Sequence, residues 1–221
     1  MLVILMLNAI FFPKLDHSFS PFEALWIPEI LQELWIKKVY DSIFTDRTDM
    51  VVIDAGANVG LATQYFYDHC KQIISIEPSP ENFEALAKNK EFNGWDKVKL
   101  YNAALANHDG NARLNINSGN RTANSITNEY GHGQEIVDTV TIETIFKENK
   151  LDQVDFFKAD IEGAEDQVIE SPGFAEVAPK IKAMVVEYHN GGWERLDTLI
   201  RGLGFQGQRE AVDTVNFLYW R

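Results

Sequence analysis

"VVIDAGANVGLATQYF", residues 51–66, decides the fold. Met50–Asp54 is a continuous apolar run of the kind that forms a strand buried on both faces of a sheet. Gly56-Ala57-Asn58-Val59-Gly60 is a glycine turn, and Leu61 onwards has the spacing of a helix. A dinucleotide fingerprint requires G-x-G-x-x-G, with backbone packed tightly around a pyrophosphate. Asn58 stands where the middle glycine would be. The turn is therefore either a degenerate dinucleotide motif or the seat of a ligand without a pyrophosphate.

Outward from this stretch, strands and helices alternate. "IPEILQELWIKKVYDSIF" carries apolar residues at helical spacing and predicts a helix before the sheet. "LATQYFYDHC" predicts a helix and "QIISIE" a second strand. A helix then opens with Ser79 as N-cap and Pro80 at its first position, and closes on Gly94. "KVKLYNAAL", "VDFFKAD" and "KAMVVEYH" read as strands three to five, with helices at "GAEDQVIE" and "GWERLDTLIRGLG". "FQGQREAVDTVNFLYWR" reads as an antiparallel pair closing the sheet. The expectation is an α/β, doubly wound, Rossmann-like sheet, mostly parallel, with an antiparallel C-terminal hairpin and helices on both faces. Residues 1–48 form an apolar segment and helix packed on a domain of 49–221, with a small β insertion at about 110–140.

Composition narrows the partners. The chain has 221 residues, 45% of them hydrophobic, enough for one substantial core. Lys+Arg of 20 against Asp+Glu of 33 gives a net charge of −13, which repels phosphate backbones and argues against nucleic acid as the acceptor. Cys70 is the single cysteine, so no internal disulfide or cysteine metal cluster can form. "MLVILMLNAIFF" falls short of the roughly 20 residues needed to span a bilayer. It also lacks the basic start and small-residue cleavage site of a secretory signal. A cytoplasmic protein without a transmembrane segment is expected, with the apolar N-terminus packed on the domain or on a partner subunit of a homo-oligomer, or else making a peripheral membrane contact.

In doubly wound sheets ligands lie beyond the carboxyl ends of the strands. Those ends carry Asp54 and Gly56, then Glu77, Asn102-Ala103, Asp160-Ile161-Glu162-Gly163, and Glu187-Tyr188-His189. Glu77 lies near the roughly 20-residue offset expected of an acid that grips a ribose diol. Ribose without pyrophosphate fits S-adenosylmethionine (SAM), whose carboxylate suits the helix N-terminus at Val59.

The segments "VVIDAGANVG", "IEPSPENFEALAKN", "NAAL", "VDFFKADIEGAEDQVI" and "VVEYH" resemble the FkbM-type SAM-dependent methyltransferases, from about Val51 to His189. The resemblance implies a class I methyltransferase fold and methyl transfer to a hydroxyl of a sugar, glycan or natural-product-like acceptor. Carried onto this chain, it implies that Asp54, Gly56, Asn58, Gly60 and Glu77 hold SAM, with Asn102 and Ala103 near the adenine. It places Asp160 and Glu162 at the reaction centre. The N-terminal residues and "GNARLNINSGNRTANSITNEYGHGQEIV" fall outside the resemblance, and the latter is where acceptor choice would be made.

An alcohol must lose its proton as it is methylated, which calls for a positioned base or a metal. Asp160, Glu162 and His189 are the candidate catalytic residues, with Glu187 sharing the spacing of His189 on the adjacent strand. Either His189 or Asp160 acts alone as base, or the carboxylates and imidazole ligate a divalent cation. The expectation is an enzyme indifferent to chelator, with metal use left open. Two other readings stand beside methyl transfer: a SAM- or nucleotide-binding module without turnover, and an NAD-dependent oxidoreductase. Tyr65, Phe66, Phe83, Phe92, Phe156 and Phe157 are expected in the core, and "EGAED" partly on a solvated helix face.

Overall fold

The structure is a computed structural model, and it describes residues 41–117, 123–131, 133–189, 193–209 and 216–221. The expected apolar N-terminal segment and most of the helix after it lie outside the described residues. Their last part is a helical turn, α1, at Asp41–Phe44.

Strand β1 is Met50–Ala55, every residue of it buried. It leads through the glycine turn into α2, Leu61–Tyr67, and β2, Cys70–Ile76. Helix α3, Pro80–Asn93, starts at Ser79 and Pro80 and stops at Gly94 in a left-handed conformation, φ 63°. Ser79 is in the N-cap position, but its hydroxyl caps nothing. The third strand breaks in two: β3 is Val98–Tyr101, and β4, Ala104–Leu105, belongs to another sheet. Strands β5, Gly110–Asn115, and β6, Gln134–Val140, form an antiparallel pair, and β4 pairs parallel to β6. Helix α4, Ile142–Glu148, leads to β7, Val154–Ala159. After it come α5, Glu165–Ile169, α6, Pro172–Val177, and β8, Ile181–Glu187. Helix α7, Trp193–Gly202, and the strands β9, Gln206–Arg209, and β10, Asn216–Trp220, end the chain.

The main sheet has the order β3-β2-β1-β7-β8-β10-β9. The first five strands are parallel, and β10 runs antiparallel to both neighbours. Alternation along each strand sorts side chains onto two apolar layers. Ile53, Ile74, Phe157, Met184 and Tyr219 pack in one, and Val52, Ile73, Phe156, Val185 and Leu218 in the other. Among the aromatic residues expected inside, Phe66, Phe156 and Phe157 are fully buried and Tyr65 and Phe83 partly so. Phe92 is 59% exposed, because it lies on the outer side of the last turn of α3.

The strand order reverses between β1 and β7: successive strands step outward one way through β2 and β3, the other way through β7 and β8. A crevice opens at such a switch point, at the carboxyl ends of the strands. No helix of the described residues is long and apolar enough to cross a membrane.

Candidate active site

Because the five strands are parallel, their carboxyl ends share one rim. In sheet order the rim carries Asn102, Glu77, the Gly56–Gly60 turn, Asp160 and Glu162, then Glu187 and His189. The structure thus brings every candidate side chain to one edge, in two halves that meet at the β1/β7 switch.

The first half is built around Glu77, which is 5% exposed. Its carboxylate accepts from the amide of Asn58 at 2.9 Å and from that of Ser79 at 2.9 Å. It thereby ties the glycine turn to the start of α3. Burial pushes this carboxyl up to about 7, against the pull of the Ser79 and Asn58 amides. Asn102 donates to the backbone carbonyls of Glu77 at 3.0 Å and Pro78 at 3.2 Å. Its neighbour Ala103 is buried. The turn itself needs left-handed backbone: φ is 76° at Gly56, 52° at Asn58 and 99° at Gly60. Asn58 tolerates this region better than most residues, and its side-chain oxygen accepts from the Val59 amide at 2.7 Å. A Cβ at Gly56 would collide with the carbonyl oxygen of Asp160, and one at Gly60 would meet Leu86 Cδ1 at 2.7 Å. Both glycines are therefore demanded by the protein's own packing, whatever the turn binds.

Asp54 lies beneath the turn, fully buried. Oδ2 accepts from the Thr63 hydroxyl at 2.7 Å, while Oδ1 has no hydrogen-bond partner and faces Lys158 Nζ at 3.8 Å. Burial raises this carboxyl above the ordinary range, and the Lys158 ammonium draws it back. Lys158, 7% exposed, also reaches Asp160 Oδ2 at 3.0 Å and the Gly56 carbonyl at 3.4 Å. It is the bolt between the halves. Read within "VDFFKAD" it looks like one more strand residue, so the sequence reading missed it. The available signal was a lone cation in a strand apolar enough to be buried on both faces.

The second half centres on His189. Nδ1 donates to Glu165 Oε1 at 3.0 Å. Nε2 faces Glu162 Oε2 at 3.4 Å, Glu187 Oε1 at 3.5 Å and Asp160 Oδ1 at 3.9 Å. Glu165 is 2% exposed and also accepts from the Ile161 amide at 3.0 Å. This corrects the solvated reading of "EGAED" at its central acid: Glu165 faces inward because the chain turns through Glu162 and Gly163, both at positive φ, before α5 begins. Burial would lower the His189 ring, but the hydrogen bond and charge of Glu165, with Glu162 and Asp160, outweigh it and raise the ring. Burial, reinforced by Asp160, lifts Glu162 to about 7. The Asp160 charge, followed by burial, raises Glu187.

The β insertion reaches this half. Ser125 Oγ, Asn128 Nδ2 and Thr127 Oγ1 donate to the Glu162 carbonyl at 2.5, 3.2 and 3.4 Å. These donors hold Glu162 in its left-handed conformation, φ 56°, a state that costs about 1–3 kcal/mol without such support.

Comparison with known proteins bears on the fold and the family. The chain is 26% identical over 219 residues to Methyltransferase 1 of Beauveria bassiana (strain ARSEF 2860), covering 88% of this chain and 87% of that protein. Among solved structures, the METTL16 MTase domain superposes with a TM-score of 0.59 at 15% identity, covering 99% of this chain and 77% of that one. A SAM-dependent methyltransferase from Aquifex aeolicus gives a TM-score of 0.51 at 15% identity, covering 92% and 98%. At such identities these two likenesses speak for the fold. A model of the methyltransferase FkbM domain matches residues 54–206, the span holding both halves of the rim, and the chain belongs to that family of methyltransferases.

Proposed function

We propose that the protein is a SAM-dependent O-methyltransferase acting on a hydroxyl of a sugar, glycan or natural-product-like small molecule. The observation that carries the reading is the gathering of three carboxylates, Asp160, Glu162 and Glu187, around the His189 imidazole beside the glycine turn. When bound, SAM supplies an electrophilic methyl group on a sulfonium.

The chain's own groups suit that cofactor. Each Glu77 oxygen accepts one backbone amide and the Asn82 side chain bonds the same carboxylate, so the acceptor capacity left over would take a ribose hydroxyl. Gly56 and Asn58, part-exposed beside it, would line the cofactor seat, with Gly60 shaping the turn and Asn102 and Ala103 flanking the adenine side. Asp54, sealed beneath, would act through Lys158 and the turn. On the other side of the switch, Asp160 would take the hydroxyl proton as the new C–O bond forms and the methyl leaves sulfur, a contribution of roughly 10²–10⁴ in rate. His189, whose ring the surrounding acids raise, would face that carboxylate as a charged partner. Holding the acceptor oxygen in line with the methyl could account for about 7–11 kcal/mol of the barrier. Residues 123–128 of the insertion, of which Ser125, Thr127 and Asn128 bond the Glu162 carbonyl, would select the acceptor. A net charge of −13 disfavours nucleic acid as that acceptor. The accompanying reading is a cytoplasmic enzyme of one domain, 49–221, with residues 1–48 packed on it or mediating a homo-oligomer.

The test has two steps. Calorimetry with SAM should show binding, with NAD inert. Methyl-labelled SAM incubated with a panel of hydroxylated acceptors should then yield S-adenosylhomocysteine and a labelled methyl ether, identified by NMR. Label on nitrogen or carbon, or no SAM binding, would overturn the proposal.

A further inference from the structure

We propose that Asp160, Glu162 and His189 form a seat for a divalent cation at the β7–β8 rim, with Glu187 beside it. The sequence leaves metal use open and leans towards indifference to chelator; the reason for taking the metal reading lies in how the imidazole is held. One ligand atom from each of the three residues lies within 4.8 Å of the others. His189 Nε2 faces carboxylate oxygens of Glu162, Glu187 and Asp160 at 3.4, 3.5 and 3.9 Å. These separations are too long for an N–H···O hydrogen bond, which spans about 2.7–3.2 Å. Ligands about 2.1 Å from an ion and about 90–110° apart stand roughly 3.0–3.4 Å from one another; the Glu162 and Glu187 separations lie at that edge length, and Asp160, at 3.9 Å, has to draw in by about 0.5 Å to complete it.

The orientation of the ring is a separate observation. Glu165, from α5, engages Nδ1 at 3.0 Å with a side chain 3% exposed. A buried carboxylate on one ring nitrogen is the arrangement that fixes an imidazole for metal ligation through the other. It leaves Nε2 aimed at three acceptors and hydrogen-bonded to none of them.

Charge points the same way. Five carboxylates (Asp54, Asp160, Glu162, Glu165 and Glu187) surround two cationic side chains, Lys158 and His189. Lys158 occupies Asp160 Oδ2 and leaves Oδ1 turned towards the imidazole. Behind them Asp54 Oδ1 is fully buried and unpartnered by any hydrogen bond, so one ammonium does not satisfy the acids around it.

Two carboxylate oxygens and one imidazole nitrogen suit Mn²⁺ or Mg²⁺ rather than a thiolate-seeking ion. Asp160 and Glu187, with side chains 31% and 29% exposed, leave the outer side of the seat open to further ligands. An acceptor hydroxyl bound there would ionise more readily. That catalytic role rests on the O-methyl-transfer reading; the binding of the ion does not.

The experiment uses the full chain, freed of metal by chelator, with neither SAM nor acceptor present. Mn²⁺ is titrated by calorimetry, and bound Mn²⁺ is examined by pulsed electron paramagnetic resonance. One ion per chain is expected, with a nitrogen coupling from the imidazole. Affinity should fall at least tenfold in Glu162→Gln and in His189→Ala, and the nitrogen coupling should vanish in the latter. Glu165→Gln should weaken binding by roughly 10–100-fold through the loosened ring. Circular dichroism checks each fold; should His189→Ala fail to fold, the near-isosteric Glu162→Gln decides. No binding by the unsubstituted chain at millimolar Mn²⁺, or affinity unchanged in Glu162→Gln, overturns the proposal. Either result leaves O-methyl transfer untouched, since no cofactor takes part in the assay.

Discussion

Replacing Lys158 by methionine tests whether one ammonium joins the two halves of the site. The substitution keeps most of the apolar stem, so packing in β7 should survive while the charge is lost. Asp54 is then left fully buried with only the Thr63 hydroxyl on Oδ2. Removing one partner of a buried ion pair costs about 3–5 kcal/mol. The 3.8 Å separation and the surviving Thr63 bond put this case at the low end, about 3 kcal/mol. Asp160, 31% exposed at its side chain, adds little because water screens it. For a chain of this size, that loss corresponds to a thermal midpoint roughly 6–12 °C lower. The effect should depend on pH with a defined sign. Burial raises the folded Asp54 carboxyl and Lys158 opposes it. Without Lys158 the carboxyl rises further, so the penalty is absent below the ordinary carboxylate range and grows as pH increases. Urea denaturation at pH 4 and pH 8 measures both effects, and the double variant Lys158→Met/Asp54→Asn should recover about half of the loss at pH 8. Equal stability of Lys158→Met and the unsubstituted chain at pH 8, or no recovery in the double variant, would refute the assignment.

Three further expectations follow from the same geometry. Gly56→Ala should destabilise the apo chain by more than roughly 3 kcal/mol, because its Cβ collides with the Asp160 carbonyl and φ is 76°; a native thermal midpoint would contradict this. Glu77 has a folded value of about 7 against 4.5 for the free group, so the stability linked to its protonation is fully present below pH 4.5 and lost as pH rises through 7. Melting curves from pH 5 to 8 should show the apo chain weakening, and Glu77→Gln should flatten that slope. Asp160→Asn should retain SAM affinity by calorimetry yet turn over roughly 10²–10⁴ more slowly on the true acceptor, and unchanged turnover would make the rim acid structural.

The parts legible in the sequence were those set by short-range chemistry. The apolar run at 50–54, the glycines at 56 and 60, and the Ser79-Pro80 start and Gly94 stop of α3 each act within a few residues. Strand ends mark where apolar runs give way to polar residues, so the rim could be listed before it was seen. What escaped depends on where the chain goes next. "KVKLYNAAL" has strand character throughout, yet after Tyr101 it leaves the main sheet to pair with β6, and no local signal marks that exit. Glu165 looks solvated within an acidic run; only the left-handed turn at Glu162 and Gly163 faces it inward. Helices α4 and α6 escaped although each opens on a hydroxyl N-cap, Thr141 and Ser171, the latter followed by Pro172 as Ser79 is by Pro80.

The hydrogen bonds from Ser125, Thr127 and Asn128 to the Glu162 carbonyl also bear on how the family can diversify. A recognition loop that rests on its own stem can be exchanged like a tool head, leaving the machine behind it unchanged. Here the loop is also a bracket for the backbone of Glu162. Sequence drift that reshapes residues 123–128 disturbs the backbone from which Glu162 projects, so on the proposed reading acceptor choice and the acid rim would have to be inherited together. Grafting this insertion between relatives should therefore succeed only when the Asp160–Gly163 turn travels with it.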